Sequence, residues 1–556
     1  MEEILTVLGV FAAFIVIVGA LGLAEKKRYR EAVLADIRRS YGKFCTKKLT
    51  ASGAEHIPAY FNRHSDKLSI DNITASDLEL DRLFMAMNVT YSAAGEECLY
   101  HHLRTPLFDE TELKKRRELM ELFDKDKELR EKLQFLFAGM GKSDKYSLYD
   151  YLDLSTDIDV KALKLHILAP LLVAAAVAVT IFYTAAGIPL LIGVLIFNMS
   201  WYFREKGRVQ PYIVTLKAVM REIRGGYTIL SSLPEAASEE KERLKECLEA
   251  LKRFSRGSSA IYSGGSAGGD PLQVAGDYLN MLLHPDMIAF GRMFGEMKAH
   301  VEDIDRIHGI LGHIEALIAA ASFRRSLSTC EPVFDGKESA KGIYHPLIED
   351  PVVNDYELGG CMLLTGSNAS GKSTFLKTMA VNQLLGQCFG FACAEEFHTD
   401  FHRIYTSMAL RDDLEHGESY FMAEIKAMRR ILKAGEEEGA KIACYVDEVL
   451  KGTNTVERIA ASSNLLKTMK EKGYFCCAAT HDIELTGLLE GIYENYHFEE
   501  EIIEGDVCFN YKLNRGRATS RNAIKLLSVM GYDEKLVKEA EEMAGRFAEE
   551  GRWSFG

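Results

Sequence analysis

One stretch constrains this chain more than any other: CMLLTGSNASGKST, residues 361–374. An apolar run of strand character leads into a loop in which Gly366, Gly371, Lys372 and Ser373 satisfy the spacing GxxxxGK[ST] in full. Glycines at those places let backbone N–H groups turn inward around phosphate oxygens. Lys372 then reaches the β- and γ-phosphates, the Ser373 hydroxyl can ligate Mg²⁺, and a helix beginning near Lys372 adds its positive N-terminal end. The loop works only at a junction of strand and helix, which commits this part of the chain to an α/β domain with a parallel sheet. Gly366, Ser367, Asn368, Ala369, Ser370, Gly371, Lys372, Ser373 and Thr374 are the expected nucleotide cradle, with ATP and Mg²⁺ as cofactors.

Two further strand ends supply chemistry. KIACYVDE, residues 441–448, is a β-rich apolar run ending in two acids. Asp447 is placed to hold Mg²⁺ together with Ser373. Glu448, next along, is placed to orient or deprotonate an attacking water. YFCCAATH, residues 474–481, ends in His481, which could touch a γ-phosphate from a neighbouring strand tip. Between these pieces lies SYFMAE, residues 419–424, which allows two readings. It stands where ABC-type ATPases carry a serine that meets nucleotide across a dimer. It also reads as an ordinary amphipathic helix start, with Ser419 as N-cap and Phe421, Met422 and Ile425 in the core.

Residues 4–24 contain no charge and reach the length of about 20 residues that a bilayer span needs. The chain starts Met1-Glu2-Glu3, and its basic cluster, Lys26, Lys27, Arg28 and Arg30, follows the apolar run. That polarity is the reverse of a cleaved signal peptide and predicts an anchor with the following chain in the cytosol. A second apolar block, residues 165–203, is too long for one span, and Thr184-Ala185-Ala186-Gly187 with Pro189 predicts a turn near its middle. Basic residues on both flanks place both ends of this transmembrane hairpin in the cytosol. The expectation is a multi-pass protein of the cell membrane with its ATPase domain in the cytoplasm.

The remaining segments, 26–164 and 204–330, read as helical. Val301, Ile304, Ile307, Leu311, Ile314 and Ile318 form a stripe at spacings of three and four, the pattern of a helix packed on a neighbour. SRGSSAIYSGGSAGGD, residues 255–270, has the composition of a flexible loop. After Pro332, β-rich runs alternate with helical stretches to about Gly516, and a helical piece follows. Lys plus Arg number 67 against 81 Asp plus Glu, a net charge of −14, which excludes a surface uniformly basic for nucleic acid. Residues 204–330 hold 17 basic and 16 acidic side chains, with no strong basic stripe. Eleven cysteines show no CxxC and no zinc spacing, so no zinc is expected and the thiols read as reduced packing residues.

Taken together the motifs resemble the DNA mismatch-repair MutS family. The matching pieces are His345-Pro346, Asn354-Asp355, TGSNASGKSTFLK, SYFMAE, DEVLKGTN from Asp447 to Asn454, ATH at residues 479–481, and YKLNRGRATSRNAIKLLSVMG at residues 511–531. ITASDLEL at 73–80 and GEECLYHHLRTPL at 95–107 resemble the start of the family's helical core. With the two apolar blocks read as a transmembrane helix at 4–24 and a transmembrane hairpin at 165–203, the resemblance implies that the rest is organised as helical core at 70–164, helical lever at 204–330, ABC-type ATPase domain at 331–516 and a helical dimerisation element at 517–550. It implies a head-to-tail homodimer in which Ser419 closes the partner's nucleotide in trans, Glu424 braces that segment and Gly452-Thr453-Asn454 lie at the seam. DNA is the partner it implies. No counterpart of the family's mismatch-reading module, with its Phe-x-Glu wedge, is found in residues 25–69, so mismatch recognition is not expected.

Overall fold

The computed structural model describes residues 2–46, 55–142, 147–154, 165–252, 254, 271–367, 370–408, 420–436, 441–503, 506–518, 524 and 531–550. The Ser/Gly-rich run at 255–270 and most of 519–530 lie outside these. The chain divides into two compact units that do not follow sequence order. One holds Met1–His64, Asn88–His101 and Leu119–Ser322; the other holds Ser65–Met87, His102–Glu118 and Phe323–Gly556. The stretch expected as one helical piece, 70–164, is therefore shared between them.

The first unit is helical. Its N-terminal helix, Glu2–Ser40, contains the apolar run 4–24. The second apolar block forms the helices Leu168–Phe182 and Thr184–Leu230, which pack on each other. The break falls at Tyr183 rather than within residues 184–187. Tyr183 N–H closes the first helix on Val179 O at 2.7 Å, and Tyr183 O opens the second by accepting Gly187 N–H at 2.7 Å. One residue therefore makes the reversal, and Gly187 and Pro189 are absorbed into the first two turns of the next helix. That helix does not end near residue 203. It runs for 47 residues, so the second arm of the hairpin and the first part of the lever are one element. Among the described residues, two helical stretches, Leu165–Phe182 and Thr184–Gln210, are long and apolar enough to cross a membrane, and only 17% of each apolar window is buried. Ile181, Phe182 and Ile196 are 72%, 78% and 62% exposed. Asn198 is buried among these helices and donates to Ala169 O at 3.1 Å and Leu282 O at 2.8 Å. In the helix Val301–Arg325 the stripe residues Ile304, Ile307, Leu311, Ile314 and Ile318 are buried, as its pattern requires.

The second unit is built on two sheets. Its strands are β1 Val333–Phe334, β2 Glu338–Ile343, β3 Asn354–Leu358, β4 Cys361–Thr365, β5 Glu396–Thr399, β6 His402–Ser407, β7 Lys441–Asp447, β8 Phe475–Thr480, β9 Tyr493–Ile503 and β10 Asp506–Arg515. A small mixed sheet runs β1-β5-β2-β3, and a six-stranded sheet runs β10-β9-β4-β8-β7-β6. The large sheet is parallel from β9 to β6, with β10 antiparallel at its edge. β4 and β8 are buried at every position, as strands covered on both faces must be. Cys361, Leu363, Cys444, Val446, Cys476 and Ala478 form one core layer with Met428, Ile431, Leu466 and Met469 from the helices Tyr420–Ala434 and Thr455–Glu471. The helix Lys372–Phe389 packs on β7 and β8, where Tyr445 OH donates to Gln383 Oε1 at 2.6 Å. Two earlier segments complete this unit. Buried Asp77 accepts from Thr406 Oγ1 at 2.7 Å and Met408 N at 3.0 Å, and Arg116 donates to Cys388 O at 2.8 Å.

Candidate nucleotide site at the strand ends

In a parallel sheet the loops after the strands gather at one edge. β4, β7 and β8 are neighbours, so the residues following them converge: Gly366 after β4, Asp447 and Glu448 at the end of β7, and His481 after β8. Gly366 and Gly371 have φ of 149° and 104°, a region that side chains disfavour. A Cβ on Gly366 would lie 2.9 Å from Ser370 Oγ and 3.0 Å from Phe498 O. The sequence needs glycine here for conformation and for space. Gly371 is the N-cap of the helix Lys372–Phe389, whose first N–H groups open towards the loop.

The polar groups interlock. Lys372 Nζ donates to Gly366 O at 2.9 Å and Ser367 O at 2.7 Å. Ser373 Oγ donates to Asp447 Oδ2 at 2.5 Å. Both oxygens of Glu448 are engaged: Oε1 lies 2.6 Å from His481 Nε2 and Oε2 lies 2.5 Å from Lys451 Nζ. His481 Nδ1 donates to Gly366 O at 3.1 Å, so the histidine joins the glycine loop to the carboxylate. The two adjacent acids are driven apart. The His481 hydrogen bond, against burial and with Lys451 adding, holds Glu448 down to about 2. Burial raises Asp447, opposed by the hydroxyl of Ser373. Burial also lowers Lys372, while Asp447 and Glu448 pull the other way.

A cavity of about 590 Å³ opens above these groups. Lys372, Ser373, Asp447, Glu448 and His481 line one side, and Tyr344, His345, Ile348, Val352, Phe498 and Tyr511 line another. Burial lowers His345 to about 4, so at neutral pH it is an uncharged ring on the apolar side. Asn354 fixes this wall: its Nδ2 donates to Tyr511 O at 3.1 Å and its Oδ1 accepts Leu513 N–H at 2.8 Å. A glycine cradle, a cation and a hydroxyl beside a carboxylate are the donor set that a Mg²⁺-bound nucleoside triphosphate requires, and the aromatic rings of Tyr344, Phe498 and Tyr511 line the same cavity.

Of the expected site residues, Gly366, Ser367, Ser370, Gly371, Lys372, Ser373, Thr374, Asp447, Glu448 and His481 lie together in this region. Ser419, Asn368 and Ala369 fall outside the described residues. The helix after Ser419 begins at Tyr420, and Met422 and Ile425 are 46% and 36% exposed. This overturns the reading that put both in the core; Phe421 alone packs against it. Tyr344, Phe498 and Tyr511 were not singled out by sequence. An aromatic residue next to the His345-Pro346 pair and aromatics on β9 and β10 were the available signal.

Fold and site define a P-loop α/β domain. Residues 362–548 match the family MutS domain V. A 251-residue stretch is 29% identical to the DNA mismatch repair protein MutS of Thermus aquaticus, covering 44% of this chain and 31% of that protein. The MutS protein of Thermus thermophilus is 30% identical over 244 residues, covering 43% and 30%. Human MutS protein homolog 4 is 26% identical over 286 residues, covering 48% and 30%. The similarity thus lies in the C-terminal part of this chain, over residues that match MutS domain V, and less than a third of each relative's length is covered.

Proposed function

We propose that this protein is a membrane-anchored ATPase of the MutS type that binds ATP with Mg²⁺ and hydrolyses it in a head-to-tail homodimer. The convergence of Lys372, Ser373, Asp447, Glu448 and His481 on one cavity carries the proposal. Lys372 turns its ammonium from the loop carbonyls to the phosphates. Ser373 and Asp447 would hold Mg²⁺, which would supply neutralising charge for the phosphates. Glu448 accepts the proton of the attacking water, and His481 keeps that carboxylate aimed and ionised. Tyr344, His345 and Tyr511 offer flat surfaces to the base. Ser419 serves the partner's nucleotide, and the exposed apolar helices 168–182 and 184–210 sit in the bilayer with the ATPase domain in the cytoplasm. DNA, where bound, is held through its phosphates and not by reading a mismatch.

The 17 basic and 16 acidic residues of 204–330, attached to the apolar hairpin, favour a second reading. In it the same cycle moves the hairpin or a protein partner, with no DNA role. Both readings rest on the same chemistry. In detergent-purified protein, Glu448→Gln is expected to lower the ATPase rate by about a hundredfold or more while ATP binding persists. Lys372→Ala is expected to lose binding itself. Wild-type hydrolysis by Glu448→Gln would remove Glu448 as the base.

A further inference from the structure

The loop from Glu448 to Gly452 is held in an unusual shape. Glu448 and Leu450 have φ of 59° and 57°, left-handed values that side chains rarely adopt. Such conformations persist only where the surroundings impose them. Three constraints come from the sheet and the helix that follows it. Glu448 N donates to Ala479 O at 3.0 Å, Ser462 Oγ donates to Val449 O at 3.0 Å, and Val449 and Leu450 are buried. A fourth comes from elsewhere. Glu424, on the helix Tyr420–Ala434, is only 4% exposed, and its Oε2 accepts Gly452 N–H at 3.1 Å. The Lys451 N–H also pulls on this carboxylate, against the burial that raises its pKa. The same helix presses on the loop sterically: a Cβ on Gly452 would lie 2.9 Å from Phe421 Cβ. Lys451, itself one of Glu424's two backbone partners, grips Glu448 Oε2 at 2.5 Å with its side chain. A buried acid on one helix thus sets the loop that presents the water-activating acid.

We propose that Glu424 is a positioning residue that ties Glu448 to the helix Tyr420–Ala434, so that any displacement of that helix is felt at this subunit's own hydrolytic centre. The proposal rests on the functional reading above, in which Glu448 acts on the subunit's own nucleotide and the segment continuing from Ser419 serves the partner's. The tie then makes hydrolysis at one site depend on engagement of the other. Glu424's part is that of a hydrogen-bond acceptor. A glutamine there keeps an acceptor oxygen, and an alanine does not.

The test uses the full chain in detergent with Glu424→Ala, Glu424→Gln and Glu448→Gln. Steady-state ATPase kinetics are measured, with hydrogen–deuterium exchange of the segment 449–454. Glu424→Ala is expected to lower kcat by roughly tenfold to a hundredfold with KM for ATP nearly unchanged, as a misplaced group does. Exchange in 449–454 rises in that variant, and Glu424→Gln restores both. Unchanged kcat in Glu424→Ala overturns the proposal. So does a glutamine variant as impaired as the alanine one, because the hydrogen bond would then not be the cause. A lowered melting temperature with kcat per folded molecule intact would reduce Glu424 to a packing residue. Activity in Glu448→Gln would sink the functional reading itself, whereas an inactive Glu448→Gln beside a normal Glu424→Ala would sink only the tie.

Discussion

His308 shows how far a single residue can depart from what its sequence neighbours announce. It stands within an apolar helical stripe, yet it is fully buried, with Nδ1 3.0 Å from Glu222 Oε1 and Nε2 3.6 Å from Glu97 Oε2. Burial opposes the imidazolium, but the two carboxylates outweigh it and lift the histidine from 6.5 to about 10. Burial raises Glu97 as well, against the pull of His308. A group whose pKa is raised on folding binds its proton more tightly in the folded state than in the unfolded one, so each of these shifts makes stability fall as pH rises. The contribution of His308 is complete below 6.5 and is lost as pH climbs through about 10. The melting temperature of the detergent-purified protein is therefore expected to fall between pH 7 and 10. His308→Gln should melt lower at pH 7 and show a flatter dependence; parallel curves would exclude His308 as the source. Nothing in the sequence pointed to this cluster, because its members come from three separated segments and carry no spacing. Lys372, Ser373, Asp447, Glu448 and His481 were legible for the opposite reason. Each ends a strand or lies in the motif that follows one, and adjacent parallel strands deliver their ends to one place. Tyr344 and Tyr511 escaped because an aromatic residue beside a loop looks the same whether it packs inward or walls a cavity.

The hairpin sets the corresponding limit for elements. Composition located the apolar block, and Gly187 with Pro189 announced a break within it. Where the chain reverses was decided by the hydrogen bonds of Tyr183, which no residue type advertises. Nor did the pattern reveal that the second arm continues to Leu230, since charged residues after 203 read equally well as a new helix. Its exposure carries a prediction. Ile196 lies about 20 Å along the helix from Tyr183, within a hydrocarbon layer of about 30 Å if the turn reaches the far side. Ile196→Arg would place a charge there at a cost of about 3 kcal/mol. The wild-type protein should stay with membranes through alkaline carbonate extraction, and the variant should be partly released or degraded. A wild type that extracts completely would show that these helices bury their apolar faces against protein instead.

For the whole molecule, the organisation into two units was the feature sequence order concealed. Ser65–Met87 belongs with the sheets because Asp77 binds Thr406 and Met408, partners more than 300 residues away that local pattern cannot reveal. Charge, by contrast, is fully legible and bears on whether duplex DNA can be a partner. Affinity for duplex DNA rests on phosphates neutralised by Lys and Arg, and the slope of log affinity against log salt is about −0.9 per phosphate contact. A chain of net charge −14, with 17 basic against 16 acidic residues in 204–330, offers few such contacts. Retention on duplex DNA is therefore expected to be weak, with a slope no steeper than about −3, and duplex DNA should leave the ATPase rate unchanged at about 150 mM salt. That outcome would favour the second reading, in which the proposed ATP cycle acts on the apolar hairpin or on a protein partner. A steep slope with DNA-stimulated hydrolysis would require a basic surface concentrated enough to overcome the acidic total, and the work of the cycle would then fall on nucleic acid.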